Sequence, residues 1–168
     1  YRVDRGDYPG ALEAARACES VTPGWCIFLE GYAQARAGGI AAADALFQEA
    51  LSHLPPEEAH RLLDPEPLLK AEPARALRRL EGEDRERMAQ AIWALGNPFA
   101  LEGGNALRME HLARQVQARI QAHARNPYGL SWGRDMEELL LRFGPEVAWE
   151  RGREMGMTLA PPAVLGRF

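Results

Sequence analysis

The residues best suited to chemistry are His111, with Glu110 beside it, and Asp135 further along the chain. An imidazole oriented by a carboxylate can act as a general acid or base near neutral pH. A covalent mechanism would also need an activated nucleophile, and no serine, cysteine or second histidine accompanies His111 in a recognisable arrangement. Glu57-x-x-His60 has the spacing of a di-iron helix, but that site needs a second such pair and two further carboxylates. His53 and His60 can approach one another, and a solvated helix end accounts for both. Cys18 and Cys26 form a single isolated pair without zinc-type spacing. Gly103-Gly104-Asn105 reads as a loop leading into a helix cap, not as a phosphate cradle. The expectation is therefore no catalytic residue, no metal and no cofactor, with a hydrolase-like use of His111 and Glu110 or Asp135 as the alternative.

Binding chemistry is better represented. Tryptophan and arginine are enriched at the energetic centres of interfaces. A cleft lined by Trp132, Arg134, Arg142 and Trp149 would accept an acidic partner segment. Arg108 and His111 share a helix face and are expected to meet Asp135 or Glu138. These six residues, Arg108, His111, Trp132, Arg134, Arg142 and Trp149, form the expected binding set. Core packing is the competing use of tryptophan, expected for at least two of Trp25, Trp93, Trp132 and Trp149.

The totals set the scale. The chain has 168 residues, 46% of them hydrophobic, with a formal net charge of −4. That suffices for one compact domain or two small ones, and the charge excludes a strongly basic nucleic-acid binder. Lys70 is the only lysine. No apolar run reaches the length of about 18 residues that a membrane-spanning helix needs.

Helical punctuation dominates the chain. Asp7-Tyr8-Pro9 reads as a helix entrance, Thr22-Pro23-Gly24 ends that helix, and Trp25 opens the next. Cys18 and Cys26 then fall at the joint of an antiparallel hairpin, within bridging range. A disulfide there would close a short loop and stabilise the fold by about 2–3 kcal/mol. It also points to an oxidising compartment. Prolines at 55, 56, 65, 67 and 73 break the next stretch, leaving room for helices at 57–63 and about 66–80. A helix over 83–95 carries Met88, Ile92, Trp93 and Leu95 near its apolar face. Asn105 caps the clearest helix, with Met109, Leu112, Val116 and Ile120 at helical spacing. Asp135 and Glu138 form a capping box for a helix over 136–143, with Leu139, Leu140 and Phe143 inward. Residues 147–151 suit a short strand or a helix, and the tail from 159 is extended.

At an offset of 32 residues, Gly6 falls on Gly38, Ala11 on Ala43, Ala15 on Phe47, Cys18 on Ala50, Ser20 on Ser52 and Pro23 on Pro55. A period in the low thirties with small residues in register signals stacked helical hairpins. The spacing of Gly31, Ala43, Phe47, Ala50 and Pro55 resembles a tetratricopeptide repeat over residues 1–60. Trp25 and Tyr32 lie a residue or two away from that family's tryptophan and tyrosine positions. Residues 1–23 then correspond to the second helix of a repeat, which implies a start inside a larger protein.

A second resemblance covers residues 90–150. Asn105-x-x-Arg108-x-Glu110-His111-x-x-Arg114, Trp132-Gly133-Arg134-Asp135 and Leu139-Leu140-Leu141-Arg142-Phe143-Gly144-Pro145 resemble a family of exported or envelope-associated bacterial proteins with a Gly-Trp-x-Thr-Asp motif. Ser131 stands in the place of that motif's glycine and Arg134 in the place of its threonine. The resemblance carries no catalytic residue with it.

The expected architecture is mainly α. Tetratricopeptide-like hairpins occupy 1–63, a proline-rich connector and helix 64–82, a helical module 83–158 with one short strand near 146–151, and an extended tail 159–168. The expected role is non-catalytic scaffolding of a larger membrane-associated bacterial complex, in the periplasm or another extracytoplasmic space. The partners would be proteins, without nucleic acid and without a membrane span.

Overall fold

The computed structural model describes residues 2–97, 103–125, 129, 131, 133–151 and 164–167, the stretches 149–151 and 164–167 by backbone alone. The described chain is mainly helical. Helices α1 (Tyr8–Arg16), α2 (Pro23–Arg36), α3 (Ile40–Ser52), α4 (Pro56–Leu62), α5 (Ala71–Arg78), α6 (Gly82–Leu95), α7 (Ala106–Gln121) and α8 (Arg134–Phe143) are followed by strands β1 (Ala148–Arg151) and β2 (Val164–Arg167). Packing divides the chain into two units, residues 1–117 and 118–168.

The first unit is built on the α2–α3 hairpin. The Asp7 side chain accepts from the Gly10 N–H at 3.0 Å and so caps α1, which buries Ala11 and Ala15 one turn apart. Pro23 opens α2, where its missing N–H costs no helical hydrogen bond. Trp25, Phe28 and Tyr32 recur at helical spacing and are buried. Gly38, with φ of 88°, turns the chain into α3, which buries Ala43, Phe47, Ala50 and Leu51. The two helices cross closely because Gly31 carries no side chain. A Cβ at that position would lie 2.7 Å from the Phe47 ring.

Phe28 and Phe47 are fully buried with ring centroids 5.6 Å apart and ring planes tilted by 36°, within the contact range of aromatic pairs. Met109, Leu112, Ala113 and Val116 of α7 and Leu62 of α4 complete the same core. Cys18, just past α1, is bridged to Cys26 in the first turn of α2, with Cα atoms 5.5 Å apart.

The proline-rich stretch folds differently from the expected single helix over 66–80. Glu66–Leu68 forms a 3₁₀ turn, Leu69 and Lys70 are extended, and α5 starts at Ala71. Pro73 has no N–H to bond back to the carbonyl of Leu69, so it fits only in a first turn. The boundaries expected at 63/64 and 82/83 fall inside the first unit. Two polar ties hold α6 to the segment after α4. The Trp93 indole donates to the Leu63 carbonyl at 3.0 Å, and Arg85 pairs with Asp64 at 2.7 Å. On α6, Trp93 is buried as expected, whereas Met88 and Leu95 are 45% and 77% exposed.

In the second unit, the box expected from Asp135 and Glu138 does not form. Gly133 is the N-cap, without a side-chain hydrogen bond, and α8 begins at Arg134. Asp135 therefore lies inside the first turn, where its charge complements the helix dipole. Leu140 and Leu141 are buried, while Phe143 is 63% exposed. Gly144 ends α8 with φ of 93°, and its N–H bonds to the Leu140 carbonyl. Residues 148–151 are a strand, and part of the tail pairs back on it antiparallel, with Ala148 opposite Arg167 and Arg151 opposite Val164.

Candidate binding site

Two polar constellations occur in the first unit. One is a junction of three helices around Asp44, which is 5% exposed on α3. Arg108 of α7 donates from Nε to one Asp44 oxygen at 3.1 Å and from an Nη to the other at 2.8 Å. The Asn105 backbone N–H reaches the second oxygen at 3.1 Å. Asn105 also caps α7, its Oδ1 accepting from the Arg108 N–H at 3.0 Å, and its amide donates to the Trp93 carbonyl at 2.8 Å. Four bonds thus tie α3, α6 and α7 together, and the fifth caps α7. A carboxylate this far from water is stable only when so fully paired. Arg108 meets Asp44 where Asp135 or Glu138 had been expected.

His111, one turn further on α7, is 2% exposed. Its Nε2 lies 3.0 Å from the Leu62 carbonyl oxygen. A carbonyl only accepts, so Nε2 carries the proton and Nδ1 is left bare; Nδ1 is buried and has no partner among the described residues. Burial lowers the His111 pKa to about 4, and the nearby Arg114 charge acts the same way, against the opposing pull of the Leu62 bond and Asp64. The ring packs on Trp93 with centroids 5.2 Å apart. Glu110 faces elsewhere: it accepts from Arg114 at 2.8 Å and pairs with Arg36 at 3.6 Å. Arg36 in turn sits 5.3 Å over the Tyr32 ring. Burial raises the Tyr32 pKa, against the partial opposition of Arg36.

The second constellation is a half-open groove of about 640 Å³ between α4 and α6. Leu63, Ala89 and Trp93 supply its apolar surface, and His60, Arg61, Glu86 and Gln90 its polar groups. Arg85 also lines it but is held by the Leu77 carbonyl at 3.0 Å and by Asp64 and Glu66. Arg61 has only a long contact of 3.9 Å to Glu58. The side chains of His60, Glu86 and Gln90 make no hydrogen bond or ion pair with another described residue.

The six residues of the expected binding set divide between the two units. Arg108 and His111 are spent inside the first. In the second, Arg134 is exposed at the start of α8, and Arg142 near its end pairs with Glu138 at 3.1 Å. Trp132 lies outside the described residues, and Trp149 is placed in β1 by its backbone alone. Trp25 and Trp93 are core anchors, each 6% exposed. Glu57 and His60 are both solvated. Among the described residues, no three metal-ligating side chains come together and no helix is long and apolar enough to cross a membrane.

Sequence reasoning missed the groove. His60 read as a helix end and Trp93 as core, and only the approach of α4 to α6 makes the two neighbours. The paired charges Asp64-x-Glu66 and Arg85 were the available signal that these segments meet. No family model, characterised protein or solved structure matches this chain.

Proposed function

We propose that this chain is a non-catalytic interaction and scaffolding module, extracytoplasmic and bacterial, that helps assemble or stabilise a larger membrane-associated complex. It combines tetratricopeptide-like hairpins with a C-terminal module of the Gly-Trp-x-Thr-Asp type. The observation that carries the reading is the α2–α3 crossing, where Gly31 seats the Phe47 ring. A small residue opposite an aromatic ring is the packing that stacked hairpins use to present an extended surface to a protein. The Cys18–Cys26 bridge supports an oxidising compartment. His111 supports the non-catalytic reading, since a buried imidazole with Nε2 committed to a backbone carbonyl is a structural donor.

The test is photo-crosslinking in the native host from exposed positions of the first unit. A partner of one defined mass, recovered repeatedly and from adjacent positions, is the expected result. A chain that stays monomeric and yields no crosslinked species from any face would overturn the reading.

A further inference from the structure

The α4–α6 groove is lined by exposed polar side chains from both helices and by the apolar Leu63, Ala89 and Trp93, an arrangement none of the structural ties described above requires. Arg85, Asp64 and Glu66 already satisfy one another. What remains is Arg61, with only its long contact to Glu58, and His60 on the α4 side, Glu86 and Gln90 on the α6 side, and the apolar lining of Leu63, Ala89 and Trp93. From Gly82 to Trp93 the α6 wall runs about 17 Å at 1.5 Å per residue. That matches about five residues of extended chain at 3.3 Å each.

We infer that this groove binds a short extended peptide segment carrying an acidic residue, an apolar residue and a basic residue. The proposal rests on the interaction-module reading and names the site and chemistry of the partner. The acidic group pairs with Arg61 and His60, and the basic group pairs with Glu86. The apolar side chain covers Trp93 and Leu63. The Gln90 amide offers both a donor and an acceptor to a peptide bond, which extended chains present along their length. A small molecule fits less well, because the exposed polar side chains come from two separate helices, His60 and Arg61 from α4 and Glu86 and Gln90 from α6.

The probe is a pooled set of five-residue peptides, each with one acidic residue, one leucine and one basic residue in every order, added to the full chain. The readout is the indole N–H resonance of Trp93, with that of Trp25 as internal control. A saturable shift of Trp93 alone is expected from at least one charge order. Arg61→Glu and Glu86→Arg should each weaken binding about fivefold, the scale of two exposed ion-pair contributions. The double swap should restore affinity for the reversed charge order. Ala89→Met, which fills the groove with a good helix former, should abolish the shift while the circular dichroism stays unchanged.

No Trp93 shift from any order at millimolar peptide, or a shift unchanged in both charge variants, overturns the proposal. Photo-crosslinking of the Ala89→Met protein separates this failure from that of the parent reading. A partner still captured sinks the groove alone, whereas no partner captured by the unaltered chain sinks the interaction reading itself.

Discussion

Arg108 grips both carboxylate oxygens of Asp44, at 3.1 and 2.8 Å, across a sequence separation of 64 residues. This pair locks α7 onto α3, and through Asn105 it reaches α6 as well. The planar guanidinium fork matches a carboxylate in a way no lysine can.

Removing one partner should therefore cost more than removing both. Asp44→Ala leaves the Arg108 charge and the Asn105 N–H without their acceptor, and should destabilise the first unit by about 2–3 kcal/mol. The double variant Asp44→Ala with Arg108→Met should recover about 1 kcal/mol of that loss. Urea unfolding monitored by tryptophan fluorescence measures both. An Asp44→Ala protein as stable as the parent would show that the junction is dispensable.

His111 gives the fold a defined acid sensitivity. Its folded pKa of about 4 lies below the ordinary value of 6.5. Between those values the unfolded chain binds a proton that the folded chain does not. The contribution of a neutral His111 is thus fully present above pH 6.5 and is lost as pH falls towards 4, by roughly 3 kcal/mol in total. His111→Gln keeps an N–H donor for the Leu62 carbonyl but cannot titrate, so its stability should vary less across that window. Chemical unfolding at pH 7, 5.5 and 4.5 checks this, and parallel curves for the two proteins would contradict it.

The hairpin crossing responds to a single methyl group. Gly31→Ala would place a Cβ 2.7 Å from the Phe47 ring. Overpacking of this kind costs about 1–3 kcal/mol, against up to about 1 kcal/mol gained from alanine's better helix propensity. The expected outcome is a net loss, relieved when Phe47→Leu is added. A higher melting temperature for Gly31→Ala alone would show that the crossing has slack.

Local signals in the sequence determined much of the first unit. Asp7 and Asn105 start their helices because caps act within four residues, whereas Pro23, expected to end the first helix, instead opens α2 after α1 has stopped at Arg16. The turn between α2 and α3 follows from Gly38, and the Cys18–Cys26 bridge follows from a joint only a few residues long. The helical spacing of Met109, Leu112 and Val116 marked a buried face because periodicity is a property of the segment itself.

Only the tertiary structure decided what the remaining polar residues do. His111 lies off the expected apolar stripe of α7, yet it is buried because α4 and Trp93 of α6 close over it. Phe143 sits in an apolar pattern, yet it is exposed because burial follows what packs against a helix and not its composition. The Asp44–Arg108 pair and the α4–α6 groove each join residues from separate helices. Spacing along the chain carries no information about such meetings, since they depend on how whole helices pack.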